Sequence, residues 1–380
     1  MVLWLRSPPR PETQAAAAGA SLSGSTSRAT PSEPIRLLIV ATTCRLAYHV
    51  ARCAERCEAE IFILGDAGAK PLSLSRYCRR FIPSHRTIGG TLDEDLTYEI
   101  NCLAGDLGVT MVLPGDAPAT RALIACRHLL DVPCFPLPDL VLFDRLNDKW
   151  RFAEICADLG LRHPATRLFA DRDALWAALA AGQIAHPAVL KAPSLSGGQG
   201  FVKLDDSRRH DVPRITYRPI LVQKFIPGRN IVASMYCQGG EIRAFVAHEV
   251  RRRVYSTFWN DRIFDDLSRM AAHFSLGGVY NFDMIAGDDG EIYYLECNPR
   301  FFFTMPQAML AGINFVALGL PTGPPPGLLL VPEGTKVRAP EAVLASPGAW
   351  LRLTRRDAAA MGYVLSDPMA LLVDHFPWVT

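Results

Sequence analysis

The sequence predicts a mixed α/β and α+β protein, with a parallel α/β domain at residues 35–145 followed by a region of antiparallel strands. Three observations predict it. Residues 35–145 alternate short apolar runs with segments of helical period, the pattern of a parallel sheet covered by helices. Two apolar runs, Val279 to Ala286 and Tyr293 to Arg300, flank Gly287-Asp288-Asp289-Gly290, a composition that closes hairpins. Strand-like Val189-Leu190-Lys191-Ala192-Pro193 and Phe201-Val202-Lys203-Leu204 flank a glycine-rich loop.

Residues 1–34 are a low-complexity run of Ala, Ser, Pro and Thr, read as a disordered tail or as a start codon assigned too early. Their opening Val2-Leu3-Trp4-Leu5 is too short for a signal-peptide core. An arginine-bearing, acid-poor start leaves organelle targeting as an alternative. In the α/β domain, strands are expected at Ile35 to Ala41, Glu60 to Leu64 and Thr110 to Leu113. Helices are expected at Leu46 to Ala54, Asp93 to Leu107 and Ala117 to Leu130. The first strand-to-helix turn, Ala41-Thr42-Thr43-Cys44-Arg45, lacks Gly-x-Gly-x-x-Gly, which argues against a dinucleotide there, and no Gly-x-x-x-x-Gly-Lys-Ser/Thr loop occurs. Gly115 and Asp116, at the carboxyl edge of the sheet, either face a cleft or make an ordinary turn.

Asp148-Lys149 opens a helix. Lys191 is then delivered by a strand into Ser194-Leu195-Ser196-Gly197-Gly198-Gln199-Gly200, where glycines let amides approach phosphate oxygens and the lysine adds a point charge. A flexible hairpin loop is the plain alternative. Ile220 to Gly228 runs from an apolar strand through Gln223-Lys224-Phe225-Ile226 into a Pro-Gly break, a hinge that can hydrogen-bond a purine edge or simply end a core strand. After the strand Ile242 to Glu249, Arg251-Arg252-Arg253 is either a solvated edge or an anion contact. His248 is read as structural.

The second hairpin carries the chemistry. Glu296, Asn298 and Arg300 alternate along a strand and share a face. If Gly287 pairs with Gly290, Asp283 falls opposite Tyr294 and diagonal to Glu296 on that face. Two carboxylates and an amide oxygen suit Mg²⁺, which is usually held by one or two carboxylates together with nucleotide phosphates. Arg300 would meet an anion. Cys297 points to the opposite face, as packing.

The order of these motifs resembles the ATP-grasp superfamily, of the carbamoyl-phosphate-synthase-like, carboxylate–amine ligase type. The likeness covers roughly Asn147 to Gly312, and its most specific part is Asp283 with Glu296-Cys297-Asn298-Pro299-Arg300. It implies an α/β domain before an ATP-grasp domain at 146–320, with an N-lobe at 146–225 and a C-lobe at 226–320 built on antiparallel sheets. It implies ATP and Mg²⁺ as cofactors, two ions bridged by Glu296, with Mn²⁺ able to substitute. Lys149 and Lys191 match nucleotide-phosphate lysines, and Ser196, Gly197, Gly198 and Gly200 the loop over the β- and γ-phosphates. Gln223, Lys224, Phe225 and Ile226 match positions at the adenine. Asp283, Glu296 and Asn298 match metal ligands, and Arg300, with Lys191, the catalytic cations. Where many members carry a ribose-binding glutamate, Asn230 stands, and it can still bond a diol without charge.

The implied reaction transfers the γ-phosphoryl of ATP to a small carboxylate, giving an acyl phosphate that an amine attacks; a thiol is the less favoured acceptor. A small-molecule kinase, or a regulatory protein that binds nucleotide without turnover, is the alternative. Composition agrees with a cytoplasmic enzyme: 40 basic against 38 acidic residues give a net charge of +2, with no nucleic-acid signature. No run approaches the roughly 18 apolar residues of a membrane helix. The 10 cysteines are irregularly spaced and read as small buried residues of a reducing compartment. Residues 321–380 are expected to be a Pro- and Gly-rich linker with C-terminal helices, packed through Leu351, Leu353, Met369, Leu371, Leu372 and Val373. Phe301-Phe302-Phe303 either lines an acceptor pocket or, as preferred here, fills the core. A homodimer is the default expectation.

Overall fold

The first strands carry no polar alternation because both of their faces are covered. Leu37 to Ala41 are all buried in β1 (Arg36–Ala41), the mark of a parallel sheet between helices. The computed structural model describes residues 34–89, 94–194, 200–205, 212, 215–321, 323–340, 343, 348, 353–367 and 369. The expected tail, Ser196, Gly197 and Gly198, Leu351 and 371–373 lie outside these residues. After β1 come α1 (Cys44–Glu55), β2 (Glu60–Gly65), a 3-10 helix (Ala67–Leu74), β3 (Arg80–Pro83), α2 (Glu94–Leu107), β4 (Met111–Pro114) and α3 (Ala117–Cys126). The strands form a parallel sheet in the order β3-β2-β1-β4. Leu37 and Ile39 pack with α1, whereas Leu38 and Val40 face residues of α2 and α3. Strand β3 had no period to announce it: it is four residues long and half exposed at the sheet edge. The expected helix to Leu130 stops at Cys126 and tightens into a 3-10 turn over Arg127–Leu129.

Antiparallel sheets follow. α4 (Leu140–Asn147) and α5 (Lys149–Asp158) lead to β5 (Thr166–Phe169), α6 (Arg172–Ala180), β6 (Ala188–Lys191), β7 (Val202–Leu204) and β8 (Ile220–Lys224). These four strands form a sheet in the order β5-β8-β6-β7. Next come β9 (Gly228–Gln238), β10 (Glu241–Arg251), β11 (Val254–Phe258), α7 (Asp261–His273), β12 (Gly278–Gly287), β13 (Ile292–Asn298), α8 (Met305–Ala311) and α9 (Phe315–Leu318). Gly228 opens β9 at φ 152°, where a Cβ would stand 2.3 Å from the Ala286 carbonyl oxygen, so the hinge requires glycine.

The expected linker is partly sheet. β14 (Leu329–Leu330) pairs in parallel with β10, and β15 (Lys336–Arg338) pairs antiparallel with β11, completing a seven-stranded sheet in the order β13-β12-β9-β10-β11-β15. Strands this short carry no readable period, and the surrounding Pro and Gly mask them. α10 (Arg355–Ser366) starts at a Thr354 capping box. Met369 is buried as expected, but Leu353 is 39% exposed. One continuous core joins Leu46 and Tyr48 of α1 to Phe301, Phe302, Met305 and Phe315, and to Tyr363 of α10. A second core packs Phe152 and Leu267 of α5 and α7 against Tyr280, Phe282 and Tyr294 of the large sheet.

Candidate active site

The site is built on the β12–β13 hairpin, in a register that differs from the expected one. The Gly287 amide bonds the Glu291 carbonyl and Gly290 sits at φ 81°, so the turn holds one residue more than the sequence suggested. Leu295 then forms a bulge, since Met284 pairs with Tyr294 but Asp283 with Glu296. The two carboxylates therefore face each other directly rather than diagonally. Asn281 and Asn298 form the next pair.

A polar chain runs along this face. Asn298 Nδ2 donates to Asp283 Oδ2 at 3.2 Å, and Arg300 Nη2 donates to Asn298 Oδ1 at 2.8 Å. Lys149 Nζ lies 3.2 Å from Glu296 Oε2. Its helix is aimed by Asp148, which caps α5 by accepting from the Trp150 and Arg151 amides, and by the Lys149 amide, which bonds the Pro193 carbonyl just beyond β6.

Burial and mutual repulsion push the Asp283 carboxyl well above its ordinary range. Burial also acts on Glu296, but Lys149, a hydrogen bond from Asp283 and Lys191 outweigh it and hold that carboxyl below its ordinary range. Lys191 is shifted down by burial, against the pull of Glu296. A pair of opposed carboxylates sharing a proton is a donor set that a divalent cation would relieve. Among the described residues no group of three His, Cys, Asp or Glu could hold a metal unaided. The two carboxylates instead fit Mg²⁺ that brings further ligands on a nucleotide, and Asn298 would join them through Oδ1, the atom that accepts from Arg300.

Two cavities meet at the carboxylate pair. One, of about 270 Å³, is lined by Lys149, Lys191, Asn230, Asp283 and Glu296, with apolar Ile231, Met284 and Leu295. The other, of about 220 Å³, is lined by Asn281, Asn298, Arg300, Phe302, Phe303 and Thr304, and shares Val232, Asp283 and Glu296 with the first.

Residues 216–323 match the family described as ATP-grasp in the biosynthetic pathway with Ter operon. Among curated relatives, the arginine-specific carbamoyl phosphate synthase large chain of Bacillus subtilis is 25% identical over 196 residues, which is 46% of this chain and 19% of that one. The chain thus spans about a fifth of that relative's length. Among solved structures, an N5-carboxyaminoimidazole ribonucleotide synthetase in complex with ADP overlays with a TM-score of 0.61 at 16% identity, over 82% of this chain and 85% of that one. The biotin carboxylase domain of Hydrogenobacter thermophilus 2-oxoglutarate carboxylase, holding MgADP, ADP and bicarbonate, overlays with a TM-score of 0.58 at 16% identity, over 77% and 71%. Residues 216–323 thus match an ATP-grasp domain.

The expected residues divide into two groups. Lys149, Lys191, Asn230, Asp283, Glu296, Asn298 and Arg300 converge on the paired cavities. The hinge residues do not line them: Gln223 is buried and donates from Nε2 to Thr166 Oγ1 at 3.2 Å, and the Lys224 and Phe225 amides are taken by the Ala165 and Pro187 carbonyls. The Phe225 ring lies under Lys203 Nζ at 4.0 Å, and Ile226 is buried. Gly200, at φ 71°, accepts from the Tyr217 hydroxyl through its carbonyl and is likewise off the cavities.

Other residues acquire places that their sequence context did not announce. Phe201 lines the lysine cavity although it is 52% exposed. Thr304 lines the arginine cavity and rests on His248 Nε2 at 3.2 Å, whose ring stacks on Tyr255 at 4.2 Å. Thr304 directly follows the Phe run, a cue that adjacency alone offered. Asp116 makes the turn, where it caps α3 and accepts from the Thr42 and Thr43 amides at 2.6 and 2.8 Å, and its charge also acts on Arg300. Phe301 and Phe302 are buried, as preferred, while Phe302 and Phe303 also line the arginine cavity. Arg252 and Arg253 form a two-residue turn at φ 49° and 62° between β10 and β11, away from both cavities. Cys297 is buried in the second core, and burial pushes its thiol well above the usual range, so it remains protonated.

Proposed function

We propose that this protein is an ATP-dependent ligase that activates a small-molecule carboxylate as an acyl phosphate for attack by an amine. The supporting observation is that a lysine-walled cavity and an arginine-walled cavity share one wall, the Asp283–Glu296 pair. On this reading the first cavity takes the triphosphate, with Lys149 and Lys191 on its oxygens and Asn230 toward the ribose, and the second takes the acid. Asp283, Glu296 and Asn298 would hold Mg²⁺, or Mn²⁺ in its place, to neutralise phosphate charge, with Glu296 also available to a second ion. The resemblance assigns Ser196, Gly197, Gly198 and Gly200 to the β- and γ-phosphates and Gln223 to Ile226, which do not line the two described cavities, to the adenine.

The residues position and neutralise; they contribute little covalent chemistry. An acceptor carboxylate oxygen attacks the γ-phosphorus as the bond to ADP breaks. The amine nitrogen then attacks the acyl carbon, Arg300 stabilises the tetrahedral oxyanion, and inorganic phosphate leaves. The same fold in structures with bound ADP, and the carbamoyl phosphate synthase relative, support the reading. Among the described residues no helix is long and apolar enough to cross a membrane.

The test is hydroxamate formation from pooled carboxylic and amino acids with Mg-ATP and excess hydroxylamine, which intercepts an acyl phosphate without knowledge of the natural amine. Magnesium-dependent hydroxamate with stoichiometric ADP is expected. ADP release with a phosphorylated hydroxyl product and no hydroxamate would replace the ligase by a kinase.

A further inference from the structure

The inference rests on reading the arginine cavity as the acceptor site. We propose that Arg45, from the α/β domain, is a specificity-determining residue that selects an acid bearing a second anionic group in addition to the carboxylate that is activated.

Arg45 is the second residue of α1, and its guanidinium carbon stands 4.9 Å from the centre of the Phe303 ring. Phe303, 36% exposed, lines the cavity that also holds Arg300. Arg300 thus lines this space while Arg45 packs on the Phe303 ring of its wall, and each has a buried Nε with no hydrogen-bond acceptor. For Arg300, which is 5% exposed, both terminal nitrogens are already used, on Asn298 Oδ1 and the Phe301 carbonyl. An uncompensated donor of this kind is costly to bury without an acceptor. Among the described residues no carboxylate lies in ion-pair contact with Arg45. Asp116 is already committed to the Thr42 and Thr43 amides and the α3 cap.

The start of α1 adds nothing to that field, because the Asp116 carboxylate already accepts from the Thr42 and Thr43 amides there. His49, one turn further on, meets Phe303 edge-on at 6.4 Å, and burial together with Arg52 and Arg45 lowers its pKa to about 3, so it adds no charge of its own. One carboxylate can answer Arg300, and an anionic group reaching past Phe303 answers Arg45. The class is a dicarboxylic acid or a phosphate-bearing carboxylic acid, since both present a compact anion that a guanidinium fork matches.

Calorimetry on the full chain loaded with Mg-ADP tests this without requiring turnover, using succinate against butyrate and 3-phosphoglycerate against glycerate. At least one dianion is expected to bind about tenfold or more tightly than its partner, the size of one charge-assisted contact. Arg45→Gln should abolish that preference and Arg45→Lys retain part of it, with ADP affinity and thermal midpoint unchanged. Preference confined to succinate identifies a dicarboxylate, and preference confined to 3-phosphoglycerate a phosphorylated acid. Equal binding within both pairs, or a preference that survives Arg45→Gln, overturns the proposal. A dianion preference without any hydroxamate would keep Arg45's role and remove the ligase reading; hydroxamate without a dianion preference would do the reverse.

Discussion

Asp283 and Glu296 are opposed carboxylates in a half-enclosed wall, and their repulsion is tolerated because Lys149 and Lys191 stand against one of them. Glu296→Gln keeps shape but removes the charge that Lys149 and Lys191 hold ionised, so the thermal midpoint should fall modestly, whereas magnesium-dependent hydroxamate formation should fall by more than about a hundredfold, as when a transition-state charge partner is lost. Parallel melting and turnover assays check both halves, and equal turnover by wild type and variant would refute the role of this carboxylate. At this scale the sequence was legible where strand alternation applied: Glu296, Asn298 and Arg300 line the shared cavities and Cys297 turns into the core. The Gln223 side chain bonds Thr166 on a neighbouring strand, a contact that no local period announces.

At the scale of elements, capping and composition announced the start of α5 at Asp148 and the turn after β12, but not the bulge at Leu295 or the strands inside 320–340. Strand β15 is three residues long, yet Val337 within it is 1% exposed and belongs to the core shared with α1. If this segment is part of the sheet rather than a connector, Val337→Asp buries an unpaired carboxylate and should cost about 3 kcal/mol or more, while Val337→Ile stays near neutral. Urea unfolding of the two variants measures this. An unchanged midpoint for the aspartate variant would mean that β15 contributes nothing to the sheet's stability.

The parallel sheet, the large sheet and the C-terminal helix share that same core, so groups buried there report on global unfolding. His49 in α1 and His248 in β10 are both fully buried, and burial lowers each pKa from 6.5 to about 3, with Arg52 and Arg45 adding to the shift at His49. Both are neutral in the fold, whereas the unfolded chain takes up their protons below pH 6.5. Their contribution is fully present above that value and is lost as pH falls toward 3. Between pH 7 and pH 5 each should cost about 2 kcal/mol of stability. Urea midpoints at the two pH values should show the loss, and His248→Asn should shrink it; a pH-independent midpoint would contradict the buried neutral state.

The sequence by itself determined what depends on neighbours along the chain. The parallel strand–helix alternation, the helix start at Asp148, the glycine at 228 and the shared face of Glu296, Asn298 and Arg300 all follow from periodicity, capping and allowed φ. Only the tertiary structure decided the direct opposition of Asp283 and Glu296, the reach of Lys149 to Glu296 and the approach of Arg45 to Phe303. Each of these joins residues 13 to 258 positions apart, as their numbers show. The reason is physical: local periods set which way a side chain points, but a one-residue bulge or the packing of distant elements against one another sets what it meets.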